Sequence, residues 1–303
     1  MTTQTQQTER VTIRPENFLH PEDKSALDAL KKVPFFDQIC SSLIKYFNEP
    51  IRHVLDMSTK VKVSEQQMPK IYGMVKEICE DMAIDIPDIY VELDREPNAC
   101  TYGDQKVTIS ITSGLLECLN DEEIYAVLAH ECGHIACHHV LYHTMGNLLL
   151  NGGAIGLENI LGKNLLTGAI LLPIKYAFYR WIRMSEFSAD RCAALCCRES
   201  KPFISSLMRL AGGTQNIMQE VDIKLFEQQA QAYIQGINDS NYNKVIEFCM
   251  TFYETHPLHA VRAYELDKWC ENEEFERMVD ILPKRKKPEQ PKPKKKWYQF
   301  WKK

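Results

Sequence analysis

The chain has 303 residues, 45% hydrophobic and 25% charged, a length and composition that place it with ordinary globular proteins able to bury a substantial core. Its formal charge of −5 is unevenly spread: residues 284–303 hold ten Lys or Arg and one Glu, whereas the other 283 residues hold 26 basic and 40 acidic groups. So acidic a body argues against nucleic-acid binding, and so basic an end argues for an anionic partner at the tail.

Eleven cysteines follow no framework spacing, and Cys132, Cys137, Cys192, Cys196 and Cys197 fall in predicted helices. That usage fits a reducing compartment, with the thiols acting as small apolar groups. The N-terminal MTTQTQQTER has no apolar stretch of the secretory kind, so a cytoplasmic protein is expected.

In chain order, Ala26, Leu27, Leu30 and Val33, then Ile39, Leu43, Ile44 and Phe47, recur at helical spacing. A second helix is predicted from near Ser64 to Met82, ended by Pro87. Ile89–Leu93 and Lys106–Ile111 read as strands, with a short third strand at 97–100. Ser113 is the expected cap of a short helix ending near Leu119. Asn120 or Asp121, followed by Glu122 and Glu123, starts a long helix reaching about His143. Helices follow over roughly Ile174–Arg198 and within 202–250, and a last one is predicted to start at His256 with Pro257 at its first position. The longest uninterrupted apolar run, Leu165–Ile174, falls short of the about 20 residues that a membrane span requires. The stretch 146–174 therefore reads as an amphipathic or partly buried loop-helix hairpin.

The decisive motif is His130-Glu131-Cys132-Gly133-His134. Residues four apart on a helix lie about 6 Å apart on one face, so both imidazoles reach one ion. Glu131, about 100° round the helix, stays outside the ligand set but close to it. Zinc in such a site makes water acidic enough for a neighbouring carboxylate to take its proton. A catalytic zinc needs a third protein ligand, and some fifty residues on Glu186 and Asp190 share one helical face. Glu186 can ligate, and Asp190 can accept the free N–H of a ligand histidine. His138 reads as a surface residue or an outer neighbour of the site.

These residues, in this order, resemble the HtpX-like and CAAX-prenyl-endopeptidase-like zinc metallopeptidases, which are gluzincins. The resemblance covers roughly residues 60–265. It rests on Asn98 and Ala99 before a strand, on Ile109–Leu119 leading into Asp121–Leu128, and on the HECGH box with His139 beyond it. Glu186-Phe187-Ser188-Ala189-Asp190-Arg191, and Thr255-His256-Pro257 followed by Arg262, complete it. It implies one zinc per chain, Glu131 as general base, and an α+β fold, mainly helical, with a small sheet beside the HExxH helix. It also implies that a polypeptide binds as an extra strand at the sheet edge near Asn98 and Ala99. His256 then stabilises the oxyanion or acts as a fourth, inhibitory ligand, and Arg262 has either an oxyanion or a structural role.

The expected organisation is a disordered leader over 1–17, an N-terminal helical segment over 18–60, a zinc metallopeptidase domain over 61–283 and a basic-aromatic tail over 284–303. Prolines keep the first half of the tail from folding as a helix, while Trp297, Tyr298, Phe300 and Trp301 among lysines suit an anionic membrane surface. The expected activity is peptide-bond hydrolysis in the cytoplasm, peripheral to the membrane's cytoplasmic face. The competing reading is a metal-binding regulatory or interaction module of the same fold without turnover.

Overall fold

A computed structural model of the chain describes residues 11–33, 36, 49–103, 105–151, 168–213, 217, 220–240, 243 and 258–285. As the sequence implies, the architecture is mainly helical with one small sheet. The helices are α1 (Pro21–Lys31), α2 (Glu49–Thr59), α3 (Pro69–Met82), α4 (Ser113–Cys118), α5 (Asp121–Ala136), α6 (His139–Asn151), α7 (Gly168–Cys197), α8 (Lys201–Gly212), α9 (Ile223–Asn238), α10 (His259–Cys270) and α11 (Glu273–Ile281). The strands are β1 (Val61–Lys62), β2 (Asp88–Glu92), β3 (Ala99–Tyr102) and β4 (Thr108–Thr112).

The sheet order is β1-β2-β4-β3, with β2 and β4 parallel and the two outer pairs antiparallel. Ile109 and Ile111 of β4 enter the core, while Ser110 on the opposite face binds Lys60 and Glu92. Strand β3 is therefore an edge, and it lies against α5.

Helix α5 is fixed at its start by a reciprocal cap. Asn120 accepts from the Glu122 and Glu123 amides, and Glu123 accepts from the Asn120 amide. The buried Glu123 carboxylate also takes Arg209 at 2.7 Å and Ser205 at 2.6 Å, tying α5 to α8. Most of α5 is buried, including Tyr125, Leu128, Ala129 and Cys132, so the helix forms the centre of the domain. Helix α3 covers one side with Ile71, Val75 and Ile78, and α7 covers another with Cys192, Ala193 and Cys196.

Four expectations are corrected. The long helix predicted to reach His143 stops at Ala136, because His138 adopts a left-handed φ of 56° and α6 restarts at His139. Residues 11–17 of the supposed leader are ordered: Ile13 is fully buried, its amide donates to the Asp81 carbonyl at 2.8 Å, and a 3₁₀ turn follows at Pro15–Asn17. The helix expected to be the last, described from His259 as α10, is followed by a further helix, α11; its expected start at His256 and Pro257 lies outside the described residues. Helix α7 begins at Gly168 and accommodates Pro173 near its start. Among the described residues no helix is long and apolar enough to cross a membrane. The nine described cysteines are free thiols.

Gly133 permits the close contact of α5 with α7. A Cβ there would stand 2.8 Å from Cys192 Cβ and 3.2 Å from Ala189 Cα. Gly133→Ala gains about 1 kcal/mol of helix propensity, yet it forces apart two rigid helices, at about 1–3 kcal/mol. The net expectation is a lower melting temperature. Gly73→Ala in α3, where nothing lies within 4 Å, is expected to gain about 0.5–1 kcal/mol instead. Thermal melting of both variants checks the pair, and stabilisation by both would refute the close-contact reading.

Candidate metal centre

One turn of α5 separates His130 from His134, and α7 crosses beside them carrying Glu186. The two Nε2 atoms are 3.1 Å apart. Glu186 Oε1 lies 3.2 Å from His134 Nε2, and Oε2 lies 3.5 Å from His130 Nε2. Bonds of about 2.0–2.1 Å to a tetrahedral zinc give ligand-to-ligand edges of about 3.3–3.4 Å, so the two imidazole nitrogens and the Glu186 carboxylate fit such a site. All three side chains are buried. Three carboxylates, Glu131, Glu186 and Asp190, face a single guanidinium, that of Arg262, which leaves the site a formal charge that a divalent cation offsets.

Each imidazole is oriented from behind. Asp190, one turn beyond Glu186, accepts from His130 Nδ1 at 2.9 Å. Arg262 of α10 donates to both oxygens of Asp190, at 2.9 and 2.6 Å, and lies 3.2 Å from Glu186 Oε2. Burial alone would raise the Asp190 carboxyl, but the Arg262 charge and hydrogen bonds hold it below its ordinary range. Burial likewise opposes protonation of His130, yet hydrogen bonds to Asp190 and Glu186 outweigh it and lift the imidazole to about 9. His134 moves the other way, lowered by burial. Behind it, His134 Nδ1 lies 3.0 Å from His139 Nδ1, and His139 Nε2 lies 3.0 Å from Asp23 of α1. Burial pushes the Asp23 carboxyl up, but hydrogen bonds from His139, Ser188 and Trp181 bring it below its usual range.

Glu131 faces a cleft of about 420 Å³. Its Oε2 accepts from Thr101 Oγ1 of β3 at 2.5 Å. Asn98 and Ala99 line the same cleft, and apolar Leu115, Phe203 and Leu207 form part of its wall. Ala99 pairs with Ile111 of β4, and Asn98 exchanges hydrogen bonds with Thr112. Among the described residues no strand covers the outer side of β3.

The structure thus brings together His130, Glu131, His134, Glu186, Asp190 and Arg262, with Asn98 and Ala99 on the cleft rim. His256 lies outside the described residues, while His259 lines the cleft. His138 is exposed, and its neighbour His139 occupies the position behind His134. Sequence reasoning missed Thr101, His139 and Asp23. Only His139, quoted beside the HECGH box, carried any signal.

A profile of peptidase family M48 matches residues 65–270. The chain is similar to the plastoglobule-localized metallopeptidase 48, chloroplastic, of Arabidopsis thaliana, at 30% identity over 266 residues, covering 87% of this chain and 75% of that protein. It is similar to Protease HtpX homolog 2 of Methanosarcina mazei at 26% identity over 225 residues, covering 68% and 74%. Protease HtpX homolog of Campylobacter curvus matches at 25% over 234 residues, covering 71% and 79%. Because the profile spans well over half of the chain and contains both helices of the centre, this protein belongs to peptidase family M48, the HtpX-like metallopeptidases, and is a metal-dependent protease.

Proposed function

We propose that the chain is a zinc endopeptidase in which His130, His134 and Glu186 hold one ion and Glu131 is the general base. The observation that carries this reading is the convergence of two imidazole nitrogens and a carboxylate at tetrahedral-edge distances, with Glu131 beside them at an open cleft. Zinc bound there would supply Lewis acidity, acidifying water and polarising the scissile carbonyl. Glu131 accepts the proton of the attacking water and returns it to the leaving amine nitrogen. The hydroxyl of Thr101 fixes the Glu131 carboxylate by occupying Oε2. Asp190 holds His130 with Nδ1 protonated and Nε2 turned to the ion. Arg262 is committed to Asp190 and Glu186, which supports its structural role over an oxyanion contact. His256 is kept as the oxyanion contact or the inhibitory fourth ligand.

The polypeptide binds as an extra antiparallel or parallel strand along the outer side of β3, near Asn98 and Ala99, as its edge position supports. The tail beyond Arg285 attaches the enzyme to an anionic membrane surface facing the cytoplasm. Arg285 itself stacks on Tyr125 of α5 with its guanidinium 3.4 Å from the ring centre.

Three measurements check this reading. Purified protein is expected to hold about one zinc per chain by elemental analysis, and Glu186→Ala to lose most of it. Normal zinc in that variant would remove Glu186 from the ligand set. Glu131→Gln is expected to keep full zinc and wild-type melting while cleavage of casein falls about 10²–10⁴-fold. Equal cleavage by both proteins would show that Glu131 is not the base, and zinc-loaded wild type that cuts no unfolded protein would favour the regulatory module. Full-length chain is expected to pellet with anionic vesicles at low salt, and a chain ending at Pro283 to stay in solution, since screening within about 8–10 Å weakens surface attraction. Equal pelleting of the two would refute the membrane role of the tail.

A further inference from the structure

We propose that Asp23 and His139 are positioning residues, forming a hydrogen-bonded relay that holds His134 in its Nδ1–H form and thereby raises the affinity of the centre for its metal. The proposal rests on the reading of His134 as a ligand through Nε2. Asp23 lies on α1, outside the stretch that matches the family profile.

The proton order follows from the partners. A carboxylate only accepts, and Asp23 is surrounded by three donors. Trp181 Nε1 donates to Oδ1 at 3.1 Å, Ser188 Oγ donates to Oδ2 at 2.6 Å, and His139 Nε2 stands 3.0 Å from the same Oδ2. His139 therefore carries a hydrogen on Nε2. In a neutral imidazole the other nitrogen, Nδ1, is then an acceptor. It faces His134 Nδ1 at 3.0 Å, so His134 must donate from Nδ1. That leaves the His134 Nε2 lone pair aimed at Glu186 and His130, where the ion is proposed to sit. His130 receives the same instruction directly from Asp190; His134 receives it from Asp23 through one intervening ring.

The relay is held from every side. Asp23 is 1% exposed and His139 2% exposed. Trp181 meets the His139 ring edge-on at 5.6 Å. The amide of His20, which caps α1, donates to Ser188 Oγ at 3.0 Å, and this locks the start of α1 onto α7. A second reading of the same histidines is a further metal site formed by His134, His139 and His143. It would require His134 to serve one ion through Nε2 and another through Nδ1, which only a fully deprotonated ring can do. It would also break the contact between the two Nδ1 atoms. The relay needs neither.

The test measures zinc affinity of the full chain, stripped of metal and titrated against a chromophoric chelator. Partners behind a ligand histidine typically set affinity by about 10–100-fold. His139→Leu and Asp23→Asn are each expected to weaken zinc binding by about that factor, and the double variant by no more than His139→Leu alone. His139→Gln, which can still accept from His134 and donate to Asp23, is expected to recover most of the loss. In the metal-free wild type, ¹⁵N spectra of the imidazoles are expected to show His134 protonated at Nδ1. Affinities within twofold of wild type in folded variants, or additive losses in the double variant, would overturn the relay. So would two zinc ions per wild-type chain with His139→Leu losing only one. Should the variants fail to fold, the wild-type spectrum decides, and an Nε2–H form of His134 there refutes the proposal. A wild type that binds no zinc while its spectrum shows the Nδ1–H form would instead sink the zinc reading and leave the relay standing.

Discussion

The absence of a side chain at Gly133 is the constraint on which the centre depends. Helix α5 brings two imidazoles to one face by its own periodicity, but a metal site needs a third donor from elsewhere in the chain. The donor proposed, Glu186, is on α7, and its distance from the imidazoles is set by how near the two helix backbones come. At Gly133 they come so near that a methyl group would overlap Cys192 and crowd Ala189. Both helices carry small, fully buried residues, Ala126 and Ala129 on α5 and Ala189 and Ala193 on α7. A ligand edge of about 3.3 Å leaves little tolerance, so packing at this seam and geometry at the metal are one property.

Close packing also buries charge, and the structure offsets that cost with pairing. An isolated buried carboxylate costs several kcal/mol, roughly, even after relaxation of its surroundings. Glu186 and Asp190, one turn apart on α7, share Arg262 of α10, and all three are buried. The guanidinium fork spans Asp190 with two donors and still reaches Glu186, a geometry a lysine could not supply. Asp190, itself held by Arg262, polarises His130 from behind and raises the basicity of that imidazole. Rigidity of the centre and acidity tuning of its ligands thus come from the same hydrogen bonds.

Much of this was legible from the residues themselves, for definite reasons. HECGH and Glu186 with Asp190 obey helical spacing, and helical spacing is local, so the ligand faces could be read without knowing the fold. The strands at 88–92 and 108–112 are rich in β-branched residues, whereas the edge strand expected at 97–100 lies at Ala99–Tyr102, two residues later, because only Thr101 in it is β-branched. The break after Ala136 carried no such mark. Neither Gly nor Pro stands at Cys137 or His138, and a histidine in the left-handed region leaves no pattern in the sequence. With an unbroken helix, His139 would point away from His134; only the break turns it back. Thr101 and Asp23 were invisible for a different reason: each acts on the site through a contact between distant segments, which spacing cannot encode. Gly133 occupied a position that the motif leaves open, so its role appears only once α7 is seen against it.

The N-terminal elements change what counts as the catalytic unit. The stretch shared with family M48 starts at residue 65, and a boundary near there is where sequence alone would divide the chain. Yet Ile13 and Phe18 lie in the same core as Ile71, Ile78 and the residues of α5. Ala26 and Leu30 of α1 join Phe178, Trp181 and Ile182 of α7 in a second core that adjoins the histidines. Taking away α1 would strip an apolar face from α7 and remove the one carboxylate to which Trp181, Ser188 and His139 all donate. Leaving buried donors without an acceptor costs about 1–3 kcal/mol each, and the loss would fall on the very helix that carries Glu186. The shared stretch therefore contains the groups proposed to hold the metal and the substrate, while part of what orients them is supplied by residues 11–31, from outside it.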